Sequence, residues 1–348
     1  MENEFVSVVI PTYNRAYCIS RAIDSVVGQS HENWELILVD DGSTDDTAGL
    51  VSSRYGHDAR VRYIFQPNTG VSAARNTGIR ASRGQFIALL DSDDSWKPWK
   101  LQAQLSCFRA FPEVGMVWTE FEAIDPAGHI AHSRYLRKMY DAYRFFPQPS
   151  ALFSTSRRLS DVVGTDLGFE PSACVYVGNI YEAMLRGNLV HTSTAMLSRE
   201  RIEKVKEFDE SLVLSGEDYD FHFRTCKWGS VCFIDVPSTT YQIGLEDRLS
   251  RHKLQIALNF LKTVQAAVDR EKGTSHFSST TVNEVLAEAN SWIAEEQFKI
   301  RDHTGVRRHA LLSLGHRPWQ PRMLCLLGLG FIPPTLTECL LRAYRYLK

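Results

Sequence analysis

The sequence predicts an α/β protein with a mostly parallel central sheet that is covered by helices. Unbroken apolar runs are typical of strands buried on both faces, and Val6–Ile10, Trp34–Val39 and Phe86–Leu90 are runs of this kind. Between the first two lies Ile19–Val27, whose apolar residues recur at helical spacing. Strands that alternate with helices in this way predict crossover connections between parallel strands.

Length, charge and cysteine usage narrow the class of protein. The 348 residues accommodate one large α/β domain with a smaller appendage, and a net charge of -2 gives no support for nucleic-acid binding. The seven cysteines include no C-x-x-C pair, which argues against a zinc site and fits a reducing cytoplasm. Because Glu2 and Glu4 occupy the place of a basic leader region and no apolar stretch could span a bilayer, we expect neither secretion nor membrane insertion.

The first two strands each lead into a polar loop. The first ends at Pro11, and the second ends at the acidic pair Asp40-Asp41. Ser43 is expected to cap the following helix, with two more acids in its first turn. Helix capping is also the alternative interpretation for Asp40.

A second acidic cluster follows the fourth strand. A third strand, Val61–Phe65, and a helix over Ser72–Ala81 precede it, and the chain then reads D-S-D-D directly after Leu90. Ligands of open parallel sheets bind at the carboxyl ends of the strands, so Asp41 and Asp93 should share one edge. Carboxylates crowded there favour Mg²⁺ or Mn²⁺. The alternative is a solvated turn that caps a helix near Trp96, and we assign that capping role to Asp94.

Four motifs in order carry a family resemblance. They are S-V-V-I-P-T-Y-N at Ser7–Asn14, V-D-D-G-S-T-D-D-T at Val39–Thr47, G-V-S-A-A-R-N-T-G at Gly70–Gly78 and L-D-S-D-D at Leu90–Asp94. Together they resemble the family 2 glycosyltransferases, inverting enzymes with a nucleotide-sugar-binding GT-A fold. The resemblance implies a GT-A domain with a mixed, mostly parallel sheet.

The resemblance also implies a site for a UDP-sugar donor. Tyr13 would stack on the base, Asp41 would accept a hydrogen bond from uracil, and Asp91 would reach the ribose. Asp93 would ligate the Mn²⁺ or Mg²⁺ ion that bridges the diphosphate. For Arg75, which would approach the nucleotide, a surface ion pair is the alternative. The implied nucleotide-binding residues are Pro11, Tyr13, Asp41, Arg75, Asp91 and Ser92.

The middle of the chain gives weaker signals. Val114–Phe121 reads as a strand at which the sheet begins to mix direction, whereas residues 123–178 show no period. In the resembling family this region shapes the acceptor pocket. Arg134, Arg137 and Lys138 could face an anionic acceptor there, although a solvated basic face is favoured.

A further motif points to the catalytic base. After a predicted strand at Thr192–Leu197 and a helix at Arg199–Val205, the chain reads F-D-E-S-L and then G-E-D-Y-D-F. This resembles the family's second signature, in which Asp218 is the base that removes a proton from the acceptor hydroxyl. Glu217 would stand beside it and raise its pKa. The alternative is a solvated first helical turn, and Asp220 is assigned to the surface or to capping.

One position departs from the family pattern. After the strand Val231–Val236, the segment Thr239–Gly244 ends in glycine where members often carry a histidine that helps to hold the metal. His252 could compensate only if the intervening loop folds back. We expect His252 to be exposed to solvent.

The last hundred residues predict a helical appendage, with stripes over Leu254–Val268, Val282–Phe298 and Val306–Leu314. We expect three regions: a nucleotide-sugar-binding half at 1–115, an acceptor-binding and catalytic half at 116–248, and the appendage at 249–348. The basic, leucine-rich tail at Met323–Tyr346 would dock on the domain or contact an anionic membrane.

These inferences point to a metal-assisted, inverting transferase. It would move a sugar from a UDP-sugar to a hydroxyl of a saccharide or a lipid-linked glycan during polysaccharide biosynthesis. The expected location is the cytoplasm, where the protein could also make peripheral contact with the inner face of the membrane. The alternatives are a non-catalytic nucleotide-sugar-binding module and, less favoured, a sugar nucleotidyltransferase.

Overall fold

The computed structural model describes residues 4–163, 169–170, 172–244 and 252–332. Within them the chain forms two compact units. The first contains the described residues up to 213 together with 217–244, and the second contains 214–216 together with 252–332. The three-region division remains a prediction.

The first unit is built on one mixed sheet. Its strands, in the described residues, are β1 Val6–Thr12, β2 Trp34–Asp40, β3 Val61–Phe65, β4 Phe86–Leu89, β5 Ser95–Trp96, β6 Met116–Ile124, β7 Ile130–His132, β8 Thr155–Arg158, β9 Cys174–Gly178, β10 Met196–Ser198 and β11 Val231–Gln242. The order across the sheet is β3-β2-β1-β4-β10-β6-β11-β9-β8, while β5 pairs with β11 and β7 with β6.

The first four long strands are parallel, as the sequence predicts. Strand β1 lies between β2 and β4, and β2 pairs with β3 on its other side. Thr12 is in register with Asp40. Because parallel strands end at one edge of a sheet, the loops after β1, β2 and β4 meet there.

The second half of the sheet mixes direction. Strand β10 is antiparallel to both β4 and β6, whereas β11 runs parallel to β6. The predicted strand over Thr192–Leu197 is wrong in extent, because residues 192–194 form a 3-10 turn and the strand starts at Met196. The two predicted segments after Val231 are one strand, β11, with register shifts around Pro237.

Helices cover the sheet and form the second unit. They are α1 Ile19–Val27, α2 Thr47–Tyr55, α3 Val71–Ala81, α4 Lys100–Ala110, α5 Leu136–Met139, α6 Leu159–Val163, α7 Tyr181–Met184, α8 Arg199–Val205, α9 Glu217–Cys226, α10 Lys253–Arg270, α11 Ser279–Lys299, α12 His303–His316 and α13 Pro321–Leu329. The three predicted C-terminal helices correspond to α10, α11 and α12. The predicted basic tail lies, from residue 333 onward, outside the described residues.

Two capping predictions are wrong. Helix α2 begins at Thr47, where the Asp45 carboxylate accepts the Thr47 backbone N–H at 3.1 Å, while the Ser43 hydroxyl accepts the Asn14 N–H. Likewise no helix starts near Trp96: β5 occupies that position and α4 begins at Lys100. Asp94 is therefore not a cap.

The core of the first unit lies on both faces of the sheet. Strands β1 and β2 are buried along their whole length, and α1 packs its apolar stripe, Ile19 and Ile23 included, into the same core. In the second unit Ala294, Val306 and Ala310 form a separate core between helices. Among the described residues, no helix is long and apolar enough to cross a membrane.

Candidate active site

The acids at the end of β2 are held by the surrounding backbone. Asp40 accepts the Ser43 N–H at 2.7 Å and the Tyr63 hydroxyl at 2.5 Å. Asp41 is buried, and its carboxylate accepts the backbone N–H groups of Thr69 at 3.0 Å and Gly70 at 2.7 Å. Asp41 therefore anchors the loop before α3.

Arg75 joins the acidic loop after β4 to the start of α9. Its guanidinium donates to Asp91 at 2.7 Å and to Glu217 at 2.8 Å, and the side chain is 5 % exposed. Burial alone would raise the pKa of Asp91, but the charge and hydrogen bond of Arg75, together with His191 and Ser193, outweigh it and hold that pKa below its usual value. The alternative of a surface ion pair for Arg75 is wrong, because the arginine itself is buried, its pair with Glu217 is buried and its pair with Asp91 is partly buried.

Asp93 stands in contrast to Asp91. Its backbone carbonyl accepts the Arg21 guanidinium at 2.5 Å, and burial raises the pKa of the Asp93 carboxyl to about 6, with Asp94 and Asp91 adding to the rise. This crowding of negative charge is what a bound cation would relieve.

Asp94 faces the interior of the site. Its Oδ2 lies 3.2 Å from Nε2 of His191, and its buried Oδ1 has no hydrogen-bond partner within the part of the chain that the structure describes. Burial disfavours a charged His191, but the hydrogen bond to Asp94 and the charges of Asp94, Asp91 and Asp218 together outweigh it and raise the pKa of the imidazole. The ring also stacks on Phe121 at 4.5 Å, and Tyr140 lies 3.3 Å from its Nδ1.

The predicted base, Asp218, lies in the first turn of α9. Its Oδ1 accepts the Tyr219 backbone N–H at 2.7 Å, and its Oδ2 accepts the Asn188 amide at 3.0 Å. Burial raises the pKa of Asp218 to about 6, and the neighbouring Glu217 carboxylate adds to the rise. Such a pKa suits a general base that works near neutral pH.

The remaining predicted nucleotide-binding residues line the same edge. Pro11 is buried in β1, in register with Val39 of β2. Tyr13 follows β1 and is 46 % exposed, so its ring is available to a ligand. Ser92 is buried, and its carbonyl lies 3.7 Å from the Cys18 thiol.

Several other predicted positions have local partners. Arg134 pairs with Asp235, Arg137 donates to the Pro147 carbonyl at 2.8 Å, and Lys138 lies 2.7 Å from the His132 ring. Asp220 is buried and pairs with Arg224 at 2.7 Å, so its assignment to the surface or to capping is wrong. Gly244 has a φ of +86°, and a side chain added there would come within 3.3 Å of Pro126, while His252 is exposed, as expected.

The sequence analysis missed two residues that contact the predicted acids. His191 contacts Asp94 and Asn188 contacts Asp218, from a segment with neither a motif nor a period. The signal that could have found them is weak: polar residues placed just before the strand that adjoins β4.

Among the described residues, no group of three His, Cys, Asp or Glu side chains is already assembled to hold a metal ion. Two side chains nevertheless offer oxygen atoms that suit a metal ion. Asp93 offers a carboxylate with a raised pKa, and Asp94 has a buried oxygen with no hydrogen-bond partner among these residues. Hard oxygens of this kind suit Mg²⁺ or Mn²⁺, which complete their shells with water and phosphate oxygens.

The family comparison agrees with the motifs. The family model described as "Glycosyl transferase family 2" matches residues 7–161. Chondroitin synthase from Escherichia coli is 37% identical over 135 residues, which are 39% of this chain and 20% of that protein. The putative teichuronic acid biosynthesis glycosyltransferase TuaG of Bacillus subtilis is 36% identical over 135 residues, 37% of this chain and 54% of that protein. The chain thus spans about a fifth of the length of chondroitin synthase and about half of the length of TuaG.

Solved structures extend the likeness to most of the chain. S. aureus TarS 1-349 in complex with UDP-GlcNAc superposes with a TM-score of 0.61 at 14% identity, covering 92% of this chain and 83% of that one. The mannosyltransferase PcManGT from Pyrobaculum calidifontis, in complex with GDP-Man and Mn2+, gives a TM-score of 0.51 at 16% identity, covering 97% and 84%. At these identities the likeness concerns the fold, and the predicted GT-A architecture with a C-terminal helical region is confirmed. The family match covers less than half of this chain, and together with the sequence relatives it shows that residues 7–161 are similar to the family 2 glycosyltransferases.

Proposed function

We propose that this chain transfers a sugar from a UDP-sugar to a hydroxyl of a saccharide or lipid-linked glycan, with inversion at the anomeric carbon. The observation that carries the proposal is the meeting of two kinds of acid at one sheet edge. Asp91 and Asp93 follow β4, and Asp218, with a pKa of about 6, begins α9; Arg75 links the two sides.

The donor would bind at the ends of β1, β2 and β4. Tyr13 offers an exposed ring for stacking on uracil, and Asp41 would accept a hydrogen bond from the uracil N–H. Asp91 uses Oδ1 for Arg75, which leaves Oδ2 for the ribose hydroxyls. The UDP-GlcNAc bound in TarS supports a UDP-sugar as the donor class.

A divalent cation would be held by Asp93, with Asp94 beside it. Bound there, Mn²⁺ or Mg²⁺ would neutralise the negative charge that develops on the departing diphosphate. The raised pKa of Asp93 supports this role, because a cation would restore its charged form. The Mn2+ that accompanies GDP-Man in the PcManGT complex supports the choice of metal.

Asp218 would act as the general base. As the acceptor oxygen attacks the anomeric carbon, its proton passes to the Asp218 carboxylate, and the bond between the sugar and the UDP oxygen breaks. A single displacement of this kind inverts the anomeric configuration. Glu217 would not compete for the proton, since its carboxylate is paired with Arg75.

The acceptor and the compartment are inferred from the relatives and the composition. Chondroitin synthase and TuaG are named for polysaccharide assembly, which supports a glycan acceptor. The six cysteines within the described residues are unpaired, which supports a reducing cytoplasm. Peripheral contact with the membrane through the basic tail is part of the same proposal.

Calorimetric titration of UDP, with and without Mn²⁺, tests the donor site. We expect micromolar affinity that depends on the metal and is lost in Asp93→Ala. The matched control is Asp125→Ala, which removes a carboxylate that accepts the Ala127 and His129 N–H groups of its own turn. Binding that needs neither the metal nor Asp93 would contradict the metal assignment. UDP binding without any transfer to glycan acceptors would favour the non-catalytic alternative.

A further inference from the structure

The segment before β10 is fixed at several points along its length. The Tyr219 hydroxyl donates to the Met184 carbonyl at 2.7 Å, and the Tyr143 hydroxyl donates to the Leu189 carbonyl at 2.8 Å. Gly187 has a φ of +137°, and a side chain there would press on Ala142 at 3.2 Å. The backbone on both sides of Asn188 is therefore held in place.

Two hydrogen bonds fix the side chain of Asn188 as well. Its Oδ1 accepts the Val190 backbone N–H at 3.0 Å, which identifies this atom as the oxygen of the amide. The other terminal atom is therefore the nitrogen, and it donates to Oδ2 of Asp218 at 3.0 Å. Because the Val190 N–H can only donate, it settles which atom of the amide is the nitrogen, and so it also sets the direction of the hydrogen bond from Asn188 to Asp218.

We propose that Asn188 is a positioning residue that holds the Asp218 carboxylate in the orientation needed to accept the acceptor's proton. The proposal rests on the function proposed above. Asp218 receives one hydrogen bond from its own helix, through the Tyr219 N–H, and a second from Asn188. With one donor on each oxygen, the plane of the carboxylate is fixed relative to α9, and one lone pair of each oxygen remains for the substrate.

Asn188 should also affect how readily Asp218 ionises. A hydrogen bond to a carboxylate favours its charged form, so removing the amide should raise the pH at which Asp218 titrates. The other groups that act on Asp218 are Glu217 on its own helix, Arg75 on α3 and His191, and Tyr140 also lies within their reach. None of these is altered by substitution of Asn188.

The test compares Asn188→Ala with Asn290→Ala in the full chain. Asn290 is a matched control, because its amide donates to the Leu286 carbonyl and contacts His309 in the second unit. We expect Asn188→Ala to lower kcat about tenfold with an unchanged donor KM and to move the acidic limb of the pH profile upward by about half a pH unit. Asn290→Ala should lower the melting temperature and leave kcat and the pH profile unchanged.

A readout that needs no turnover separates this proposal from the proposed function. Carbon-detected NMR titration of the Asp218 carboxyl, assigned with Asp218→Asn, should give a higher midpoint in Asn188→Ala than in the parent protein. An unmoved midpoint, or a kcat within twofold of the parent, would overturn the proposal. A loss of kcat that tracks melting temperature, as in an ordinary structural defect, would overturn it too. If the parent protein transfers no sugar to any acceptor, the proposed function fails, while the NMR midpoint still decides whether Asn188 holds Asp218.

Discussion

The acids after β2 and the acids that meet between β4 and α9 look alike in the sequence but differ in their environment. Asp40 and Asp41 are surrounded by N–H and O–H donors from nearby loops. Asp93 and Asp218 instead have a pKa raised to about 6 by burial and by neighbouring carboxylates. The hydrogen bonds of the first pair stabilise the fold, whereas the raised pKa values of Asp93 and Asp218 indicate that ionising these two acids costs stability.

Arg75 stabilises the acids that meet between β4 and α9. Its buried positive charge pairs with Asp91 and Glu217, and without it the buried Glu217 carboxylate and the partly buried Asp91 carboxylate would both lose their ion pair. Removing Arg75 should therefore destabilise the fold strongly, whereas neutralising an acid should have an effect that depends on the group to which that acid belongs.

The largest effect is expected for Arg75→Met. Removing one partner of a buried ion pair leaves uncompensated charge, so we expect a loss of about 3–5 kcal/mol in the free energy of unfolding by urea. Adding Glu217→Gln should recover part of the loss. The control is Arg80→Met on the same helix, whose pair with Glu207 is exposed and should contribute less than about 1 kcal/mol. Equal losses of stability at both arginines would contradict the claim that Arg75 stabilises buried acids.

A smaller loss is expected for Asp41→Asn. The new amide would present N–H to the Gly70 N–H, leaving a buried donor unsatisfied, so unfolding should become easier by about 2 kcal/mol. Thermal unfolding monitored by circular dichroism measures this, with the exposed Asp24→Asn as a control. A neutral outcome would show that Asp41 does not anchor its loop.

The smallest effect depends on pH. The pKa of Asp218 in the folded protein, about 6, exceeds its usual value of about 4, so the folded state binds more protons and loses stability as pH rises between them. Asp218→Asn removes this pH-dependent cost, but its amide N–H would face another donor, either the Asn188 amide or the Tyr219 N–H, which offsets part of the gain. The stability of Asp218→Asn relative to the parent protein should therefore rise by about 1 kcal/mol between pH 4 and pH 7.5, as measured by urea unfolding at both values. A relative stability that does not rise over this range would place Asp218 with the structural acids.

The position of the acids at the ends of the parallel strands was largely predictable because its signals are local. Each acid there directly follows an apolar run, and parallel strands bring their carboxyl ends together whatever the details of the loops. Motif order supplied Asp41, Asp93 and Asp218, and the structure brings Asp91 and Glu217 together on Arg75.

The contacts between these residues could not be predicted in the same way. The partners of Arg75 are 16 and 142 residues away, and no periodicity reports such a distance. His191 and Asn188 lie in a segment fixed by tertiary hydrogen bonds, such as that of Tyr143 to the Leu189 carbonyl. Asp94 was misassigned because a helix cap is the usual role of an acid after a strand, whereas here the strand β5 intervenes before the next helix.

The most direct test of the account is Asp218→Asn assayed for sugar transfer and for UDP affinity on the same preparation. We expect kcat to fall by about 10²–10⁴-fold, because the base is lost, while the dissociation constant for UDP in the presence of Mn²⁺ stays within about twofold, because the donor contacts are intact. Asp220→Asn, on the same helix, is the matched comparison and should retain most of its turnover. A kcat for Asp218→Asn within tenfold of the parent protein, with UDP binding preserved, would contradict the assignment of Asp218 as the base.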